Sequence, residues 1–259
     1  MVPHYGADVR IPQVGGPAAS LEAPLRFDPP LQRCTFVRRY KRFFADVLLP
    51  DGALLTVHCA NTGAMTGCHA PDAPAWISDS RNPARTLRHT LEIVEVDGAS
   101  VAVNTHRANH VVAEAVLAGT VPELGGYPAL RREVAYAGRH RVDLLLSRGD
   151  ARCFVEVKSV TLGAGGGLSR FPDAVSRRAT EHLHALTRVV LAGDRAVLFF
   201  CALRDDTRAV APADAVDPVY GAALRAAASA GVEILAYRCA VGPAALTLEA
   251  RVPVLLDPR

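Results

Sequence analysis

Residues 141–159, RVDLLLSRGDARCFVEVKS, read as two apolar strands joined by a polar turn, yet Asp143 stands in the first strand and Glu156 and Lys158 stand in the second. Side chains two apart on a strand share a face, so Glu156 and Lys158 project together while Val155 and Val157 fill the other side. With Asp143 opposite on the paired strand, two carboxylates and an ammonium share one pocket. Burying such ions unpaired costs several kcal/mol each, and a divalent cation between the carboxylates offsets that penalty. Oxygen ligands favour Mg2+ or Mn2+ over zinc, and Lys158 is placed to orient a water or to meet developing negative charge. An E-x-K pair alone is also what an exposed ion pair on a strand looks like; the acid on the partner strand and the apolar flanks favour the metal site. Glu114, on a helix upstream, and Glu133, just before the hairpin, are the two candidates for a third acid.

The segments around this hairpin divide the chain in two. Up to about residue 104 the pattern is of short strands, at 32–38, 43–49, 54–59, 76–80, 91–96 and 100–103, separated by turns such as Pro50-Asp51-Gly52 and Asp97-Gly98. This spacing predicts a small antiparallel barrel of the OB type, a fold that holds nucleic acid on its strand face. Between residues 26 and 91 nine Arg and Lys stand against five Asp, although the whole 259-residue chain carries only +3. Arg38, Arg39, Lys41 and Arg42, interleaved with Tyr40, Phe43 and Phe44, are the candidate DNA contacts.

Beyond residues 104–108 helical spacing appears. A helix is expected over 109–118, capped by Gly119, and a second from an Asp173 cap through Val190; a third covers 218–230, and strands lie at 196–203 and 232–239. The glycine-rich 161–171 segment reads as a mobile loop beside the site, and it lacks the G-K-[ST] ending of a phosphate-binding P-loop. The expected fold class is therefore α+β: a flexible extension over 1–25, an OB-like nucleic-acid-binding barrel over 26–104 and a mixed α/β domain over 105–250. No run of about 18 apolar residues suggests a membrane span. The six cysteines lack C-x2-C spacing and read as buried free thiols in a cytoplasmic protein, and 1–23 has no secretory pattern. His58, His89 and His110 read as structural; His182, on the helix after the glycine loop, reads first as a neutral histidine hydrogen-bonded at a sheet edge, with reach to the metal pocket as the alternative. Neither G-x-S-x-G nor H-E-x-x-H occurs, which removes two common hydrolase readings.

The D…E-x-K hairpin resembles the PD-(D/E)xK nuclease fold. RRYKRFFADV at 38–47, HCANTGAMTGC at 58–68, VNTHRAN at 103–109, FVEVKSVTL at 154–162, FPDAVSRRATEHL at 171–183 and GVEILAY at 231–237 together resemble the sugar fermentation stimulation protein A family. The resemblance implies an OB-like domain followed by a nuclease-like domain, with nuclease-type positions at Asp143, Glu156 and Lys158. It also implies non-specific DNA binding linked to regulation of sugar (maltose) metabolism. The chain departs from the family's usual residues at Leu91, His140, Ala179 and Glu181. Two functions are thus expected in order: a DNA-binding regulator that keeps a nuclease-like metal site, and an active Mg2+- or Mn2+-dependent endonuclease. Oligomeric state is open.

Overall fold

The computed structural model describes residues 9–10, 25–136 and 140–257. Apart from Val9–Arg10 and Leu25, the extension expected over 1–25 lies outside the described residues. In chain order the strands and helices are Val9–Arg10 (β1), Leu25–Arg26 (β2), Gln32–Tyr40 (β3), Phe44–Leu48 (β4), Leu54–Cys59 (β5), Pro74–Asp79 (β6), His89–Val96 (β7) and Ala99–Ala102 (β8). Then follow Arg107–Leu117 (α1), Ala129–Tyr136 (β9), His140–Arg148 (β10), Ala151–Val160 (β11), Leu162–Gly163 (β12), Leu168–Phe171 (β13) and Arg177–Leu191 (α2). Arg195–Ala202 (β14), Ala209–Pro212 (β15), Pro218–Ser229 (α3), Glu233–Val241 (β16) and Ala245–Arg251 (β17) complete the chain.

Strands β3 to β7 close on themselves, because the sheet order β5-β4-β3-β6-β7 is joined by a β5–β7 pairing. Inward residues such as Phe36, Val47, Val57, Ile77, Leu91 and Val94 fill the barrel, and closure leaves no open edge along it. The second unit is an eight-stranded sheet in the order β1-β9-β10-β11-β14-β16-β17-β2. Its central strands β11, β14 and β16 are parallel, and the antiparallel strands flank them. Parallel strands bury both faces. Leu144, Leu146, Val155, Val157 and Phe199 pack toward α1, while Leu145, Phe154, Leu198 and Phe200 pack toward α2 and α3. The six cysteines are free and buried, and no helix of the described residues is long and apolar enough to cross a membrane.

Four details differ from the sequence reading. Arg26, read as the start of the barrel, sits in β2 and pairs with Ala245 of the large sheet, so the barrel strands begin at Gln32. Strands β9 and β17 are additional to those expected: Arg131, Arg132 and Glu133 interrupt the hydrophobic alternation of β9. The 161–171 segment is not an open loop. Residues Leu162–Gly163 and Leu168–Phe171 form a hairpin that extends onto β15, and the left-handed backbone of Gly165, Gly166 and Gly167 makes its turn. Finally, α2 is capped by Ser176, whose hydroxyl accepts the Ala179 amide at 3.2 Å, and not by Asp173.

Candidate nuclease-type metal site

Asp143 occupies a gap in the sheet. The β9–β10 ladder pairs Val142 with Val134 and Leu144 with Arg132, and the β10–β11 ladder starts at Leu144 and Val155, so Asp143 is paired in neither. Opposite it, Glu133 adopts a left-handed backbone with φ of 53°. In place of a ladder bond, Asp143 Oδ2 accepts the Val157 amide at 2.8 Å, and Oδ1 accepts the side-chain amide of Asn109 on α1 at 2.6 Å. Both carboxylate oxygens are thereby fixed next to Glu156.

Glu156 and Lys158 project from β11 toward α2, as the period of two requires. Glu156 is only 2% exposed. Its Oε1 accepts from Lys158 Nζ at 2.7 Å and contacts His182 Nδ1. His182 Nε2 accepts from Arg178 Nε at 3.4 Å, which leaves the ring proton on Nδ1 for donation to Glu156. Glu156 Oε2 is buried with no hydrogen-bond partner. An orphaned carboxylate oxygen is costly, and it marks a position that a cation or ordered solvent would satisfy.

The two acids titrate apart. Burial, reinforced by the neighbouring Glu156 charge, pushes Asp143 up to about 7, against the Val157 amide and Lys158, which pull it down. Burial acts on Glu156 in the same sense, but Lys158 and His182 together overcome it and hold the carboxyl below its ordinary value. Asp143 therefore keeps its proton to a higher pH than an ordinary aspartate does, and a divalent cation would displace it.

The surrounding cleft has a volume of about 730 Å³ and lies between the two units: Thr62 and Thr105 come from the barrel side, and Arg132, Arg141 and Arg178 from the large sheet and α2. Glu133 lines it, with its carboxylate 3.9 Å from Arg141 Nε, whereas Glu114 does not. Of the two candidate third acids, Glu133 is the one brought to the cleft. Among the described residues no three His, Cys, Asp or Glu side chains converge as a ready-made ligand cluster. Two carboxylates with an orphaned oxygen still fit a hydrated Mg2+ or Mn2+, which keeps several waters and takes one or two carboxylates. Asn109 escapes the sequence reading as a site residue, although it ends the VNTHRAN stretch; only the packing of α1 against β10 shows its role.

The basic hairpin lies outside this cleft. Arg38 pairs with the buried Asp46 at 2.7 Å. The Arg39 guanidinium donates to the Ala64, Asn61 and Gly63 carbonyls at 2.9 to 3.0 Å, and Arg42 donates to Thr62 O. Two of the expected DNA contacts thus hold the NTGAMTG loop in shape, leaving Lys41 exposed at the turn. Asp173 packs closely against that loop, its Oδ2 accepting the Met65 amide at 2.9 Å. A Cβ at Gly63 would collide with the Asp173 carboxylate. Gly63→Ala is accordingly expected to break this bond between barrel and α/β domain and to cost about 1–3 kcal/mol in urea unfolding, the usual loss for a stranded buried donor.

The two-part architecture is shared with known proteins. The model of the sugar fermentation stimulation protein RE domain matches residues 106–245, more than half of the chain, and the SfsA N-terminal OB domain matches residues 37–103. The chain belongs to the sugar fermentation stimulation protein family. A sugar fermentation stimulation protein homolog of Teredinibacter turnerae is 53% identical over 231 residues, covering 89% of this chain and 99% of the relative. Its counterpart in Pelobacter propionicus is 52% identical over 228 residues, covering 88% and 99%. Pyrococcus furiosus SfsA, solved in complex with Ca2+, shares the fold with a TM-score of 0.81 at 24% identity, covering 90% of this chain and 99% of that one. The family's two-part organisation therefore coincides with the closed barrel and the mixed sheet described above.

Proposed function

We propose that this family member binds DNA without base readout and carries a Mg2+ or Mn2+ site formed by Asp143 and Glu156, with Glu133 on the wall of the same cleft. The observation that carries the reading is the unpartnered Glu156 Oε2 beside Asp143, at the floor of a cleft between an OB barrel and an E-x-K sheet. That a protein of the same fold was solved with Ca2+, another hard cation that takes oxygen ligands, agrees with this donor set. Arg132, Arg141 and Arg178 supply positive charge for phosphates along the cleft walls, and Lys41 and the aromatic hairpin add to it from the barrel. In this reading any effect on sugar (maltose) metabolism is exerted through DNA.

Phosphodiester hydrolysis is the second reading, favoured by one contact: Lys158 Nζ sits 2.7 Å from Glu156 Oε1, where it would steer a water and meet charge on the phosphate. A bound divalent cation would polarise the phosphodiester and lower the pKa of a water. Fluorescence anisotropy with labelled DNA tests the first reading: affinity is expected to be micromolar or weaker at physiological salt and to fall steeply as salt rises, with log K dropping about 0.9 per phosphate neutralised on duplex DNA. Salt-independent binding would sink it. For the second, DNA incubated with Mn2+ should be cut by the wild type and not by Lys158→Ala; equal products from both proteins would assign the cutting to a contaminant.

A further inference from the structure

We infer that His182 is a positioning residue that holds Glu156 to a single coordinating oxygen, and that it thereby sets a preference of the site for Mg2+ or Mn2+ over Ca2+. The inference rests on the cation site proposed above. His182 is a polar residue on the buried face of α2, in line with Ala179, Leu183 and Leu186, which pack against the sheet. Its ring is set from three directions. Arg178 Nε, one helical turn earlier, meets Nε2 at 3.4 Å; the His140 ring stands edge-on with centroids 5.7 Å apart; and Nδ1 contacts Glu156 Oε1. Side chains that hold a metal ligand in one orientation act in this way, without touching the ion.

An ionised carboxylate has about two acceptor sites on each oxygen. On Glu156 both sites of Oε1 are taken, by Lys158 Nζ at 2.7 Å and by His182 Nδ1, while the buried Oε2 has no partner. Asp143 is held differently: the Val157 amide meets one of its oxygens and the Asn109 side chain the other, so neither is closed to a cation. The limit on coordination is therefore set at Glu156, which can offer Oε2 alone. Mg2+ tolerates that limit, because it takes one or two carboxylates and keeps several waters in an octahedral shell, and Mn2+ shares its preference for six oxygens. Ca2+ takes more oxygens in a looser shell and gains from a carboxylate that binds through both, which the two donors on Oε1 prevent. Without the histidine, one acceptor site on Oε1 opens and Glu156 can turn both oxygens to the ion.

Mn2+ titrations of the EDTA-stripped full chain at fixed pH and ionic strength, read from the electron paramagnetic resonance of the free ion, test this, with Ca2+ added as competitor to give its own dissociation constant. The wild type is expected to bind Mn2+ more tightly than Ca2+. His182→Leu keeps the helix face apolar and removes the donor. It should bind Mn2+ about tenfold more weakly, the usual loss when the partner of a metal ligand is removed, and Ca2+ no more weakly than the wild type does. His182→Asn places an amide NH2 near the position of Nδ1 and should keep the wild-type ratio of the two constants. A histidine that only supports the fold would shift both ions by one factor in His182→Leu. That result, or constants that do not move, or a His182→Asn ratio that follows His182→Leu, would overturn the inference and leave the cation site standing. A wild type that prefers Ca2+ would overturn it without any variant. A wild type that takes up no Mn2+, or whose uptake is unchanged in Asp143→Asn, would overturn the cation site and this inference with it.

Discussion

Replacing Asp143 with Asn is expected to raise the melting temperature of the cation-free protein at pH 8, to leave it nearly unchanged at pH 4, and to abolish stabilisation by Mn2+. An acid whose folded pKa lies above its unfolded one binds more protons when folded, so stability falls as pH climbs between the two values. For Asp143 that window runs from the ordinary value of 3.8 to about 7. Below it the carboxyl is neutral in both states and costs nothing. Above it the folded protein holds a desolvated anion beside Glu156, a penalty on the order of 4 kcal/mol by linkage. Asparagine removes the charge and keeps an oxygen for the Val157 amide, and the Asn109 side chain needs only to turn its own oxygen toward the new NH2. Mn2+ at about a hundred times its dissociation constant should stabilise the wild type by about 2.7 kcal/mol and the variant not at all. Scanning calorimetry in EDTA and in Mn2+, at both pH values, decides the matter. A variant that melts below the wild type at pH 8 without metal would contradict the proposed charge state.

The extent to which this site is legible in the sequence follows from the range of the interactions. Period-two alternation places Glu156 and Lys158 on one face whatever the rest of the chain does, and the turn at 148–151 brings Asp143 to the neighbouring strand, so all three are readable from residues 141–159. The barrel strands are readable too, because their turns are marked by glycine and their apolar alternation is clean. Interactions set by distant packing are not. Asn109 reaches Asp143 across 34 residues, and Asp173 reaches Met65 across 108, leaving the α2 cap to Ser176. The basic hairpin shows the opposite failure. Its arginines look like DNA contacts because composition records charge but not partners, and three of the four cationic residues are committed to Asp46 or to the carbonyls of residues 61–64.

Lys158→Met should destabilise the metal-free protein by about 3–5 kcal/mol at pH 8, the cost of taking one partner from a buried ion pair. Glu156 is almost wholly enclosed, and one of its oxygens already lacks a partner, so without the ammonium only His182 faces the carboxylate. The sign of the pH dependence is opposite to that of Asp143. Burial alone would raise the Glu156 pKa, but Lys158 and His182 lower it, so the group contributes stability above the ordinary value of 4.5 that is lost as pH falls. In Lys158→Met that contribution disappears and the variant converges on the wild type toward pH 4. Adding Glu156→Gln should restore most of the loss at pH 8, because the double variant has no uncompensated charge left to bury. A Lys158→Met protein as stable as the wild type at pH 8, measured by urea unfolding in EDTA, would mean that Glu156 is protonated or otherwise neutralised when folded. It could not then be the charged partner that the proposed metal site requires. The same variant separates holding DNA from cutting it, since Lys158 contacts Glu156 deep in the cleft while the arginines proposed to meet phosphates line its walls. Unaltered anisotropy together with abolished turnover is therefore expected of Lys158→Met if the site is catalytic, and unaltered anisotropy with no turnover in either protein if it only binds.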